Sequence, residues 1–365
     1  MVAGSPEDAS AVPVTVCAVV VNWRQPELTS AAVASLERQT GLDDIALSIV
    51  IVDNGSGDDS AARLAARHPQ HRVVARATNG GFGAGVNAGI RAVPADVYVL
   101  LNNDAVAEPG FVSGIVGPLL SDRRVGGVTA RIVLQERYRR AAPGEGGDAL
   151  VAADGSRWLA DPDGVELLNS TGNETTRSGN GRDRDWLAPV ATADGGAPRA
   201  AGEVLGFSGG AAALRTDALT GVGLFDESLF MYYEDTDLSW RLRRAGWSIR
   251  YEPSAVVRHA HAASTGTGSE VFLFHNERNR ILVAAKNAPV RVALTALART
   301  TAATGRAQLN ALRGRTAPAR AEARRRRRSL GAAVRRLPAT LSERRRIDRD
   351  AAVPRSRPAS FLVRD

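Results

Sequence analysis

The stretch VYVLLNNDAVAEPGF, residues 97–111, sets the frame for the whole chain. Val97, Tyr98, Val99, Leu100 and Leu101 make a short apolar run of the kind that forms a buried strand. Asn102, Asn103 and Asp104 follow at once. A turn ahead of Pro109 accounts for part of that polar cluster. A cation held against a phosphate accounts for all of it. Mg²⁺ or Mn²⁺ commonly takes one or two protein carboxylates and leaves its other positions to substrate phosphates. Asp104 is the candidate ligand.

Upstream, the same unit recurs. Residues 14–23 (VTVCAVVVNW), 47–56 (LSIVIVDNGS) and 71–79 (HRVVARATN) read as strands. Residues 26–40, 58–68 and 81–93 between and after them carry helical patterns. Strand–helix alternation predicts an α/β fold with a mostly parallel central sheet flanked by helices. Ligands of such sheets collect at the carboxyl ends of the strands. Asn22, the Asp53–Ser56 run, Asn79, Gly81 and Asn102–Asp104 all fall there.

The chain of 365 residues is 44% hydrophobic, enough for a sizeable core. Its formal charge of +8 is unevenly placed: residues 1–305 carry a net of −5, and residues 306–365 a net of +13. Nearly every cation is Arg, and Lys286 is the sole lysine. A nucleic-acid binder would spread basic and aromatic residues over its body, so specific nucleic-acid binding is not expected. Cys17 sits alone inside an apolar run, a core residue with no disulfide partner. The first residues lack the pattern of a signal peptide, and no run is long and apolar enough to span a membrane. The expected place is cytoplasmic, and the basic tail reads either as a peripheral attachment to the inner face of the plasma membrane or as a solvated tail.

Three divisions follow: a flexible N-terminus at 1–13, a catalytic domain at 14–290, and an Arg-rich tail at 291–365, helical or disordered. Residues 135–200, rich in Gly, Asp, Arg, Ser and Pro, read as an irregular insertion with short strands near VELLNSTG and RDWLAPV. Beyond it, residues 235–246 read as a helix, 248–253 and 255–260 as two strands, and 271–289 as a long amphipathic helix.

In MYYEDTDLSWR, residues 231–241, Glu234, Asp235 and Asp237 crowd beside aromatic side chains. Crowded carboxylates raise one another's pKa, and a raised carboxylate suits general-base work. Helix capping accounts for Asp237 and in part for Glu234. His259 and His261 follow an apolar strand. An imidazole there can complete a Mn²⁺ shell or serve as a satisfied structural histidine. The glycines of NGGFGAGVNAGI lack dinucleotide or Walker spacing but suit close backbone approach.

In order, residues 19–40, 49–60, 79–90, 99–112, 206–219, 223–247 and 256–264 resemble family 2 glycosyltransferases of the GT-A fold, in particular a bacterial rhamnosyltransferase-like branch. The resemblance implies a GT-A nucleotide-diphospho-sugar transferase fold with a helical C-terminal extension. It implies that Asp53 contacts the nucleotide, with Asn22, Ser56, Asn79 and Gly81 nearby. The strand-ending NND stands in for the family's metal-binding D-x-D, with Asn102 in place of the first acid. Asp104 and His259 would hold Mg²⁺ or Mn²⁺, Asp235 would be the catalytic base, and Gly209, Gly210 and Glu234 would lie near the sugar and acceptor. The implied reaction is inverting transfer of a sugar, rhamnose favoured, from a nucleoside-diphosphate donor such as dTDP-rhamnose to a cell-wall or polyprenyl-linked glycan acceptor. A UDP-sugar donor with a soluble acceptor, and a non-catalytic nucleotide-sugar-binding protein, are the alternatives.

Overall fold

A computed structural model describes residues 12–193, 200–260, 269–314 and 316–365. The first half runs β1 (Val14–Asn22), α1 (Pro26–Glu37), β2 (Ile45–Asp53), α2 (Ser60–Arg67), β3 (Arg72–Ala75), α3 (Phe82–Ala92), β4 (Val97–Asn102), β5 (Ala105–Ala107) and α4 (Phe111–Ser121). The middle adds β6 (Val125–Arg140), β7 (Leu150–Val151), β8 (Arg157–Ala160), β9 (Val165–Ser170), β10 (Asn173–Thr175), β11 (Gly181–Asp183), α5 (Val190–Ala193) and β12 (Gly202–Glu203). Then come β13 (Ala211–Arg215), α6 (Thr216–Val222), α7 (Glu234–Arg244), β14 (Ser248–His259), α8 (Glu270–Asn287), α9 (Val290–Gly314), α10 (Ala317–Asp350) and α11 (Ser356–Ala359).

The main sheet has the order β12-β14-β6-β13-β4-β1-β2-β3. Strands β4, β1, β2 and β3 are mutually parallel. Strand β13 enters antiparallel between β4 and β6, while β6 and β14 run parallel to each other. The sheet is thus mixed but mostly parallel at its centre, with helices over it. Strand β1 explains why. Val16, Ala18 and Val20 face one core with α1 and α4, and Cys17 and Val19 face the other with α3. A strand apolar on both faces belongs inside a helix-covered sheet. Burying a Val or Leu of this kind contributes about 1.5–3 kcal/mol.

The chain leaves β1 for β2 and β3 on one side, then returns to β4 on the other. That reversal makes a crevice beyond the carboxyl ends of β1 and β4. The register puts Asn22 opposite Asp53 and Val21 opposite Asn102, so the polar strand ends share one rim.

Several local expectations change. The two strands expected at 248–253 and 255–260 are one, β14, with a register shift between Glu252 and Val256 where the ladder skips Pro253. The strand near VELLNSTG is β9, pairing with β6. Near RDWLAPV the strand is β11, which stops at Asp183 ahead of Asp185 and Leu187 with their positive φ, and Pro189 adds only a single bridge to Leu167. The C-terminal region is helical and docked. Lys286 of α8 pairs with Asp226, Asp237 and, from α10, Glu343 at 3.0 Å. Arg344 of α10 donates to the carbonyls of Ala285 and Ala288, both at 2.8 Å. His261 lies outside the described residues.

Candidate active site

Asp53 is held from three directions at the end of β2. Asn22 Nδ2 donates to its Oδ1 at 2.7 Å, the Ser56 hydroxyl donates to the same oxygen at 2.5 Å, and Ser56 N–H donates to Oδ2 at 3.2 Å. Asn22 also accepts from Gln25 N–H and Thr29 Oγ1 through its amide oxygen. Asn22 and Ser56 are fully buried. Both therefore sit behind Asp53 and orient it, and Asn22 also ties Gln25 and Thr29 to this strand end. Asn79 accepts from Asn54 Nδ2 and from Gly81 N–H, at 3.1 and 2.8 Å. Gly81 has φ +86°, and a Cβ there would lie 1.7 Å from the Phe230 carbonyl oxygen. The close approach that glycine permits is made by the chain itself, and it locks the start of α3 to the segment preceding Glu234.

The end of β4 meets the end of β14 through β5, whose Ala105 pairs opposite His259. That ladder brings Asp104 Oδ1 to 3.0 Å from His259 Nε2. On the other side of the ring, His259 Nδ1 donates to Asn169 Oδ1 at 2.7 Å. With Nδ1–H committed, neutral His259 presents its Nε2 lone pair toward a carboxylate. Two acceptors at that separation call for a positive charge, either a proton on Nε2 or a metal ion. Adjacent corners of an octahedron with bonds of about 2.1 Å also lie about 3.0 Å apart. One carboxylate and one imidazole suit Mn²⁺ or Mg²⁺. Among the described residues no cluster of three or more His, Cys, Asp or Glu forms a metal site, so phosphate and water would fill the rest of the shell. Asn102 stands beside the pair, its Nδ2 3.4 Å from His259 Nε2.

Asn102 also connects this end to the acids. Its N–H donates to the Gly210 carbonyl at 2.9 Å, and Gly209 N–H donates to Asp235 Oδ2 at 3.1 Å. Thr236 N–H donates to Asp235 Oδ1 at 2.6 Å. Glu234 is 8% exposed, and its Oε2 has no hydrogen-bond partner. Burial, then the neighbouring Asp235 charge, pushes the Glu234 carboxyl up to about 8. Burial raises Asp235 as well, but the N–H donors of Gly209 and Thr236 oppose it. Burial raises both carboxyls, and the backbone donors at Asp235 favour its charged form over that of Glu234, which has none on Oε2.

The loop that presents them is strained. Phe230, Tyr232 and Tyr233 all have positive φ, an unusual state for aromatic residues. Asn279 of α8, fully buried, holds it by reaching the carbonyls of Leu229, Met231 and Tyr232 at 3.0, 2.9 and 2.8 Å. Asp237 is no simple cap. It is buried against Arg241 at 2.8 Å, Lys286 at 3.1 Å and Asn287 at 2.7 Å. Burial favours its neutral form, yet the two cations hold it below the usual carboxylate range.

Three residues escaped the sequence reading. Asn169 and Asp183 come from the region read as irregular, and Asn279 from a helix read only as amphipathic. Burial pushes the Asp183 carboxyl up to about 6; its charge senses both Asp235 and His259. No local pattern marks these residues, though the polar Asn169–Ser170 ending of an apolar strand is the same signal that singled out Asn102.

A family model described as glycosyltransferase like family 2 matches residues 13–281. An N-acetylglucosaminyl-diphospho-decaprenol L-rhamnosyltransferase of Mycobacterium tuberculosis is 28% identical over 243 residues, covering 60% of this chain and 68% of the relative. An undecaprenyl-phosphate 4-deoxy-4-formamido-L-arabinose transferase of Sodalis glossinidius is 33% identical over 121 residues, 32% of this chain and 36% of the relative. Among solved structures, GalNAc-T7 with UDP, GalNAc and Mn²⁺ superposes with a TM-score of 0.52 at 15% identity, over 75% of this chain. The chain spans 49% of that protein's length, and the likeness is one of fold. The strand order, the polar rim and the extent of the family match lead to one conclusion: this chain is a glycosyltransferase of family 2 with the GT-A fold.

Proposed function

We propose that the chain transfers a sugar, rhamnose favoured, from a nucleoside-diphosphate donor such as dTDP-rhamnose to a hydroxyl of a polyprenyl-diphosphate-linked or cell-wall glycan, with inversion. The observation that carries this reading is the Asp235 carboxylate, held by two backbone N–H groups beside the buried, unpartnered carboxyl of Glu234. One glycine pair links it to the Asp104–His259 end of the site. The mycobacterial rhamnosyltransferase supports the choice of sugar and lipid-linked acceptor.

Asp53 would take the nucleotide, oriented by Asn22 and Ser56, with Asn79 and Gly81 shaping the adjoining wall. Asp104 and His259 would hold Mg²⁺ or Mn²⁺, which when bound offsets the charge gathering on the departing diphosphate. Asp235 would accept the acceptor hydroxyl proton while that oxygen bonds to the anomeric carbon and the bond to the donor diphosphate breaks. The nucleoside diphosphate departs with the bonding electron pair. Glu234, neutral, keeps a second negative charge away from Asp235, so a single carboxylate works as base. No described helix is long and apolar enough to cross a membrane, and the basic C-terminal helices would bring the enzyme to an anionic membrane surface.

The test is a panel of dTDP- and UDP-sugars with Mn²⁺, offered together with a polyprenyl-diphosphate N-acetylglucosamine acceptor. Formation of the rhamnosylated lipid with release of dTDP is expected. Transfer only from a UDP-sugar to a soluble acceptor would replace this reading, and absence of nucleoside-diphosphate release with every donor would favour a non-catalytic binding protein.

A further inference from the structure

The five consecutive arginines at 324–328 do two different jobs on α10. Arg325 and Arg326 turn toward α8 and pair with Glu277, at 3.4 and 2.8 Å. Arg324, Arg327 and Arg328, joined by Arg335 two turns on, share a second stripe of the helix, because positions three, four and eleven apart fall on one face. These four arginines, with Ala332 and Phe274 of α8, line a cavity of about 440 Å³. Arg328 pairs with exposed Glu270 at 2.9 Å and lies 5.8 Å from the Phe274 ring centre. Among the described residues, no acid pairs with Arg324, Arg327 or Arg335.

Grouped like charges on one helix face repel. A concave set of guanidinium groups short of acids is instead suited to an anion with several oxygens, since each planar fork can donate two parallel hydrogen bonds to a phosphate. Position matters as much as charge. Phe274 meets His275 edge-on at 5.0 Å between ring centres, and His275 stacks on Phe230 at 5.1 Å. Phe230 opens the strained loop that ends at Glu234 and Asp235. Tyr232 of that loop meets Phe272 at 4.8 Å, and Val271, on the same turn of α8, is 47% exposed. The basic cavity is therefore joined through Phe274, His275 and Phe230 to the loop that leads to the acids, and the same end of α8 carries exposed apolar surface.

We propose that this cavity seats the diphosphate of a polyprenyl-diphosphate-linked acceptor, joined through the aromatic side chains of α8 to the loop that leads to Asp235. The inference rests on the acceptor reading above and gives it a place on the molecule. The arginines bind the diphosphate, and the glycan attached to it extends past Phe274 and Phe230 toward the base.

Binding of inorganic pyrophosphate to the full chain, measured calorimetrically in chelator without divalent metal, tests this apart from catalysis. Three proteins are compared: the native chain, the triple variant R324Q/R327Q/R335Q, and D104N, which alters the opposite end of the site. The native chain and D104N are expected to bind alike. The triple variant should bind more weakly, on the order of tenfold for each arginine lost. All three side chains are exposed, so its thermal melt should match the native one, and R324K/R327K/R335K, which keeps the charge without the fork, should fall between. Equal binding by the triple variant would overturn the proposal, as would loss of binding in D104N. In a parallel flotation arm, capture by phosphatidylcholine–phosphatidylglycerol vesicles with no pyrophosphate binding would also overturn it, in favour of diffuse surface charge. Failure of sugar transfer would leave the pyrophosphate result standing, and a triple variant that binds normally would leave the transferase reading standing.

Discussion

His259 bridges Asn169 and Asp104: Nδ1 donates to Asn169 Oδ1, and Nε2 stands 3.0 Å from Asp104 Oδ1. One hydrogen bond from a segment outside the recognisable motifs orients the ring of the residue best placed to share a metal ion. Hydrogen-bond partners behind a metal-binding histidine typically govern affinity tenfold to a hundredfold. Asn169→Ala should therefore raise the Mn²⁺ dissociation constant by about one to two orders of magnitude, read by electron paramagnetic resonance titration. An unchanged constant would remove Asn169 from this role.

Asp235→Asn and Glu234→Gln should part company. The first removes the ionised carboxylate and should lower turnover by about 10²–10⁴ while donor affinity stays within a few-fold. The second replaces a group that is already neutral at pH 7 and should keep most of the activity there. Initial rates and calorimetric donor binding for both variants decide it. Similar turnover losses would show that the two acids act as one unit.

Glu234 also makes a stability prediction. Its carboxyl titrates at about 8 when folded, against an ordinary 4.5. The folded state therefore binds a proton that the unfolded state has released. The benefit is complete below the unfolded value and is lost as pH rises from about 4.5 to about 8. Glu234→Gln should stabilise the protein little at pH 5 and by roughly 1–3 kcal/mol at pH 9. Urea unfolding at the two pH values measures the difference, and a gain independent of pH would contradict the assignment of the proton.

The Asn279 clamp carries a fourth expectation. Asn279→Leu leaves three carbonyls of a left-handed loop without their side-chain donor, in the interior. A loss of about 2–3 kcal/mol is expected, together with a fall in turnover larger than any change in donor affinity, because the loop carries the acids rather than the nucleotide contacts. Denaturant unfolding and steady-state kinetics on the same preparation test both parts. Native-like kinetics in a destabilised protein would confine Asn279 to a structural role.

Much of this site was legible in one dimension. Strands β1, β2 and β4 show as apolar runs that stop on Asn22, Asp53 and Asn102, because a strand covered on both faces must be apolar throughout and becomes polar only where it reaches the rim. Glu234 and Asp235 show as acids where an aromatic run ends. Local chemistry also named His259, although it left metal binding and a satisfied core histidine equally open.

What the tertiary structure decided is which groups stand together and in which protonation state. Asp104 and His259 meet only because β5 pairs with β14, a contact between segments far apart in the chain. Asn169 and Asp183 reach the site from a stretch whose composition reads as irregular, and β9 and β11 carry them in. Asn22 and Ser56, fully buried, hold Asp53 at the strand end. The arginine run looks uniform as a string, yet helical geometry sends two of its members to Glu277 and the others into a cavity. Pattern fixes the elements because it acts between near neighbours, whereas pairing, burial and charge state depend on which distant surfaces the fold closes against each other.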